Sequence, residues 1–168
     1  MFGLKVSAGF KAAAILSATL ALGACASNKT DQAGAGGVYG AGASTPGSAQ
    51  DFVVNVGDRV FFETDSTNLT STAVATLDKQ AGWLQRYPHY TFLIEGHADE
   101  RGTREYNYAL GARRAQTVYD YLVSRGVQSN RIRVVSYGKE RPVAVCNDIS
   151  CWSQNRRSVT VLDRPAGS

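Results

Sequence analysis

Between Thr91 and Ala115 the chain crowds carboxylates, a histidine and guanidinium groups into one stretch, TFLIEGHADERGTREYNYALGARRA. Glu95, His97 and Asp99 alternate, so an extended strand would put all three on one face, where they could hold a metal ion or work as an acid/base pair. Two carboxylates are also what glycoside hydrolysis requires. However, the sequence contains neither HExxH nor a Ser/His/Asp set, so that reading has no supporting motif. His97 then reads as a hydrogen-bonded spacer that positions the loop. Taken alone, Asp99 and Arg114 would be a solvated charge pair. The arrangement around them favours binding, because a strand that empties into a charged loop ahead of a helix gathers charge near a helix N-terminus.

The elements that must position these groups follow from periodicity. Phe92, Leu93 and Ile94 mark a short buried strand, expected from Tyr90 to about Glu95. Gly102-Thr103 is a turn and cap, and a helix is expected from about Glu105 to Ser124, stopped by Gly126. Its core stripe is Ala115, Val118, Tyr119 and Leu122. Arg114 lies off that stripe and shares a face with Asn107, Leu110 and Thr117, while Arg113 goes with Tyr106, Gln116 and Asp120 on a solvated side. Tyr106, Tyr108, Tyr119 and Tyr121 read as core or rim aromatics.

Upstream, Asp58 to Phe62 reads as a strand. Thr70 or Ser71 caps a helix with Val74, Leu77, Ala81 and Leu84 inward, and Tyr87-Pro88 ends it. Downstream, Val127 to Asn130 is a polar connection and Arg131 to Tyr137 alternates as a strand. Asp148 to Gln154 suits a short helix, and Arg157 to Leu162 is a last strand. The sum is an α/β (α+β) domain, a two-layer βαβαβ(α)β sandwich whose two crossovers place helices on one sheet face.

The ends of the chain give an address. Lys5 and Lys11 precede an apolar run, Ala12 to Leu22, that is short for a membrane span and ends in Leu22-Gly23-Ala24-Cys25. That ending resembles the lipobox of bacterial lipoproteins. The resemblance implies a signal peptide over 1–24, removed at the amino side of a Cys25 that carries lipid. Ala26 rather than Asp after the cysteine implies sorting to the outer membrane. Each buried methylene adds about 0.8 kcal/mol, so three acyl chains would make the anchoring permanent.

Residues 25–57 are expected to be the lipidated cysteine and a flexible linker, Gly/Ala/Ser-rich up to about Gln50. A relaxed coil of some 25 residues spans about 25–30 Å. The globular domain is expected over 58–163, with a tail at 164–168. Losing the two lysines of 1–24 lowers the formal charge from +4 to +2. With no basic aromatic patch, nucleic-acid binding has no support. Cys146 and Cys151 remain, in CNDISC. Outside the inner membrane an even remainder reads as one disulfide; a metal pair is the rival reading.

Several motifs together resemble the outer-membrane-protein-A-like domain family, and within it the peptidoglycan-associated lipoproteins of the Tol–Pal system. They are HADERG at His97–Gly102, Tyr106-Asn107, Arg113-Arg114-Ala115, VSYGKE at Val135–Glu140 and Asn155-Arg156-Arg157. The likeness covers about Arg59 to Leu162. It implies a non-catalytic, cofactor-free domain that grips the meso-diaminopimelate of the peptidoglycan stem peptide. It implies TolB as a second partner, exchanging with the wall, a place on the periplasmic face of the outer membrane, and a part in envelope constriction at division.

Position by position, the resemblance makes Asp99 and Arg114 the charged clamps for a zwitterion, Asp99 for the ammonium and Arg114 for the carboxylate. Asn107 and Leu110 become the helix wall, and Asp65 and Arg156 close the pocket. Backbone amides of Glu100 to Thr103 would add donors. Glu63 departs from the family's more usual Asp, and the cysteine pair is not present in every member. The alternative reading is a peptidoglycan hydrolase or other envelope enzyme using the Glu95/Asp99 carboxylates.

Overall fold

The computed structural model describes residues 44–163. The expected signal peptide, Cys25, most of the expected linker and the expected tail lie outside these residues. The α-helices are α1 (Ala49–Asp51), α2 (Ser71–Arg86), α3 (Arg104–Ser124) and α4 (Ile149–Asn155). The strands are β1 (Arg59–Phe61), β2 (Phe92–His97), β3 (Ile132–Gly138) and β4 (Arg157–Leu162). The sheet order is β1-β4-β2-β3, with β2 parallel to β3 and β4 antiparallel to both β1 and β2. The two-layer α/β sandwich is the expected one. Among the described residues no helix is long and apolar enough to cross a membrane.

Both long helices lie on one face of the sheet. Thr160 of β4 donates to Gln80 of α2, and Ser136 of β3 donates to the Tyr108 carbonyl of α3. α3 comes so close to β2 that a Cβ on Gly96 would fall 1.9 Å from the Gly111 carbonyl oxygen. Only glycine permits that approach, which seats α3 at Gly111 on the strand that feeds the charged loop. Leu77, Leu84, Phe92, Ile94, Ala115, Val118 and Leu122 fill the space between the layers. Each large apolar side chain so buried contributes roughly 1.5–3 kcal/mol.

Thr70 caps α2 and Thr103 caps α3 through their side-chain oxygens, as the sequence leads one to expect. α3 ends in a left-handed Gly126, φ 90°, whose neighbour Val127 donates back to Leu122.

Five expectations need correction. The domain takes in residues before 58. Ser48 caps α1, a π-turn over Phe52–Val56 continues it, and Phe52 is fully buried against Trp83, at 4.9 Å between ring centres. The last residues assigned to the linker therefore belong to the domain, because one aromatic anchors them. β2 runs two residues later than expected, since Tyr90 is held outside the strand with its carbonyl bonded to Arg131 Nε at 2.8 Å.

Arg131 itself is buried in a 3-10 turn rather than opening β3, and it also bonds the carbonyls of Leu84 and Tyr87 near the end of α2. On α2, Ala73 and Trp83 take buried places, while Val74 is only half-buried. Tyr119 of α3 is likewise half-buried.

Candidate functional site

A cavity of about 260 Å³ opens where β2 empties into the charged loop. Its walls are Asp99, Arg101 and Gly102 of that loop, Tyr106, Asn107 and Leu110 of α3, and Thr64 and Asp65 from the turn after β1. Of the residues singled out in the sequence, Asp65, Asp99, Asn107 and Leu110 line it directly. Arg114 and Arg156 stand behind that wall.

Asp99 is 7% exposed and accepts four hydrogen bonds. The Arg101 backbone N–H (3.2 Å) and Nε (3.1 Å) reach Oδ1, while Arg101 Nη2 (2.8 Å) and Arg156 Nη1 (3.3 Å) reach Oδ2. Burial pushes the Asp99 pKa up, but the bonds and charge of Arg101, with Arg156, outweigh it and hold the carboxyl below its ordinary value. Arg156 is fixed in turn by donating from Nε to the Phe62 carbonyl at 3.0 Å. Asn107 secures the loop from α3 through its amide N–H to the Arg101 carbonyl at 2.7 Å. Lys139 holds the same loop from outside, on the carbonyls of Glu100 and Gly102.

Arg114 is completely buried. Its guanidinium donates to three backbone carbonyls, from Nε to Ser66 (2.9 Å), from Nη1 to His97 (2.9 Å) and from Nη2 to Glu63 (3.1 Å), and lies 5.2 Å from the centre of the Phe62 ring. One N–H on each terminal nitrogen is left for a further acceptor. Burial, then the charge of Arg156, lowers its pKa to about 10 against the pull of Asp99 and Asp65, so it stays charged at neutral pH.

Asp65 sits at φ 54°, a left-handed backbone that Asp tolerates, and its carboxylate receives the Tyr106 hydroxyl across the cavity mouth. This bond is the first cause of the raised Tyr106 pKa.

Glu95, His97 and Asp99 do not form one site. The register shifts between Gly96 and His97, β2 ends there, and no hydrogen bond or ion pair joins Asp99 to either neighbour. His97 is buried beside Tyr137, with its Nε2 3.5 Å from Glu95, and neither ring nitrogen has a hydrogen-bond partner. Its carbonyl, rather than its ring, positions the loop. Among the described residues no cluster of His, Cys, Asp and Glu could hold a metal ion. Cys146 and Cys151 are joined as a disulfide across the first turn of α4, Cα to Cα 5.7 Å.

Arg101 and Tyr106 were missed as site residues. The signal for Arg101 was its place two residues after Asp99. Tyr106 stands in the Tyr106-Asn107 motif on the first turn of α3, but nothing local announced its partner.

A profile described as the OmpA family matches residues 61–156. The chain is 70% identical over 147 residues to a peptidoglycan-associated lipoprotein of Rhizobium meliloti (strain 1021), covering 86% of this chain and 82% of the relative. It is 38% identical over 149 residues to the protein so named from Haemophilus influenzae, covering 89% and 95%. The crystal structure of the peptidoglycan-associated lipoprotein from Burkholderia pseudomallei superposes with a TM-score of 0.62 at 42% identity, over 63% of this chain and 90% of that one. The C-terminal domain of Helicobacter pylori MotB, at 24% identity and TM-score 0.61 over 65% and 86%, shares the fold. The chain belongs to the OmpA family and, within it, to the peptidoglycan-associated lipoproteins.

Proposed function

We propose that this chain is a lipid-anchored, peptidoglycan-binding protein that ties the outer membrane to the wall without a covalent bond to it. The observation that carries the reading is the Asp99 cavity. A nearly buried carboxylate forms part of one small wall, and a buried guanidinium, Arg114, stands behind that wall with two N–H groups to spare. Meso-diaminopimelate ends in a carbon bearing both an ammonium and a carboxylate, so opposite charges at short range suit it.

Asp99 takes the ammonium. The carboxylate approaches Arg114, and the Glu63–Ser66 turn, two of whose carbonyls Arg114 holds, is the part that yields. Asn107 and Leu110 wall the aliphatic stem, Asp65 closes the mouth, and Arg156 backs Asp99 from the buried side, adding to the hold of Arg101 on its charge. Cys25 carries the lipid, on the periplasmic face of the outer membrane. By the same membership the protein exchanges between wall and TolB within the Tol–Pal system and supports constriction at division.

The test is sedimentation of the full chain with isolated peptidoglycan. Wild type pellets with the wall, Asp99→Ala stays in the supernatant, and no soluble wall fragments appear. Release of fragments would instead favour a hydrolase. Pelleting of Asp99→Ala at the wild-type level would remove the site assignment. Cys25→Ser frees the protein from the outer-membrane fraction while the wall is still bound.

A further inference from the structure

The four hydrogen bonds on Asp99 fill the four lone-pair positions of its carboxylate. A ligand ammonium can therefore enter only by displacing one of the donors. Arg156 is poorly suited to leave, being 4% exposed and tied to the Phe62 carbonyl. The Arg101 side chain is 41% exposed and, while it donates to Asp99, it already stacks on Trp152, with its Cζ 4.1 Å from the centre of the ring. The indole N–H of Trp152 also donates to the Glu100 carboxylate, so one side chain holds both residues that follow Asp99.

Trp152 reaches the loop from α4, and the same helix delivers Arg156, whose backbone N–H bonds the Trp152 carbonyl at 3.1 Å. Cys151, next to Trp152, is bridged to Cys146, and Asn155 ties the loop at Val143 and Ala144 to the helix.

We propose that Trp152 is a positioning residue for the cavity: its ring, already stacked on Arg101, keeps hold of the guanidinium when a ligand ammonium takes the Asp99 carboxylate, and the Cys146–Cys151 bridge fixes the helix from which it does so. A guanidinium no longer neutralised by a carboxylate is drawn more strongly to the ring face, so without the ring the displaced Arg101 has no partner and competes with the ligand for Asp99.

This rests on the proposed peptidoglycan reading, and the experiment separates the two. The probe is the stem tripeptide L-Ala-D-Glu-meso-diaminopimelate, titrated calorimetrically into the full chain. W152A weakens binding about three- to tenfold, as loss of a cation–π contact implies, and W152F, which keeps a ring, recovers most of it. In an R101A background, W152A changes nothing further, because no competing cation remains.

The tripeptide also changes the Trp152 fluorescence of the wild type, and the change is absent in W152F. Equal binding by W152A and wild type overturns this proposal alone, as does a W152A loss that persists in full beside R101A. No tripeptide binding by the wild type overturns the functional reading and this proposal with it.

Discussion

Arg114 on α3 donates to the carbonyl of His97 at the end of β2 over 2.9 Å, and neither group is reachable from solvent. That bond, with two more to the turn after β1, ties three segments of the cavity together. Arg114→Ala strands three carbonyls, each costing about 1–3 kcal/mol if left unmet. The expected loss is roughly 3–5 kcal/mol, read by urea unfolding. Arg114→Lys, which keeps the charge and loses the fork, costs about half as much. Equal stability of Arg114→Ala and wild type would mean the carbonyls find other partners.

Asp99 is held below its ordinary pKa, so it binds fewer protons folded than unfolded in the acid range. Its contribution is complete above the unfolded value of about 3.9 and is lost as pH falls through the lower folded value. Asp99→Asn removes that part of the acid-side slope. Tm measured from pH 5 down to pH 2 checks this, and unchanged slopes would contradict it.

His97 is shifted in the same direction, in a higher pH window. Burial, then Arg157 and Arg141, lower its pKa to about 4, while Glu95, 3.5 Å from Nε2, does not offset them. The unfolded chain takes up the proton near pH 6.5 and the folded chain near 4, so stability falls as pH drops between those values. The size is about 2–3 kcal/mol. His97→Gln flattens the change in unfolding free energy between pH 7 and pH 4.5. A wild type equally stable at both pH values would show that the ring is charged when folded.

Gly96→Ala drives a Cβ to 1.9 Å from the Gly111 carbonyl oxygen, so strand and helix must separate. About 3 kcal/mol of destabilisation follows, together with weaker wall binding, because α3 carries Asn107, Leu110 and Arg114. Thermal unfolding and sedimentation of the same variant check both.

Patterns local in sequence were legible. β4 spans the expected Arg157–Leu162, and α3 starts one residue from its expected position, because alternation and capping are short-range signals. Asp65, Asp99, Asn107 and Leu110 do meet at one cavity. The turn over Phe52–Val56 was hidden because its reason is a contact with Trp83, far along the chain. The complete burial of Arg114 was hidden for the same reason, since its three partners lie 17 to 51 residues away. The role of Arg101 was written in its spacing from Asp99, but that of Trp152 depended on where α4 came to rest.

The central claim is that one cavity recognises both charges on a single carbon. Calorimetric titration of the full chain with two stem tripeptides tests it most directly, one ending in meso-diaminopimelate and one in lysine, which has the ammonium and lacks the neighbouring carboxylate. The diaminopimelate peptide binds and the lysine peptide is weaker by about tenfold or more, the loss of one charge-assisted pair. Equal affinity for the two peptides would contradict the account.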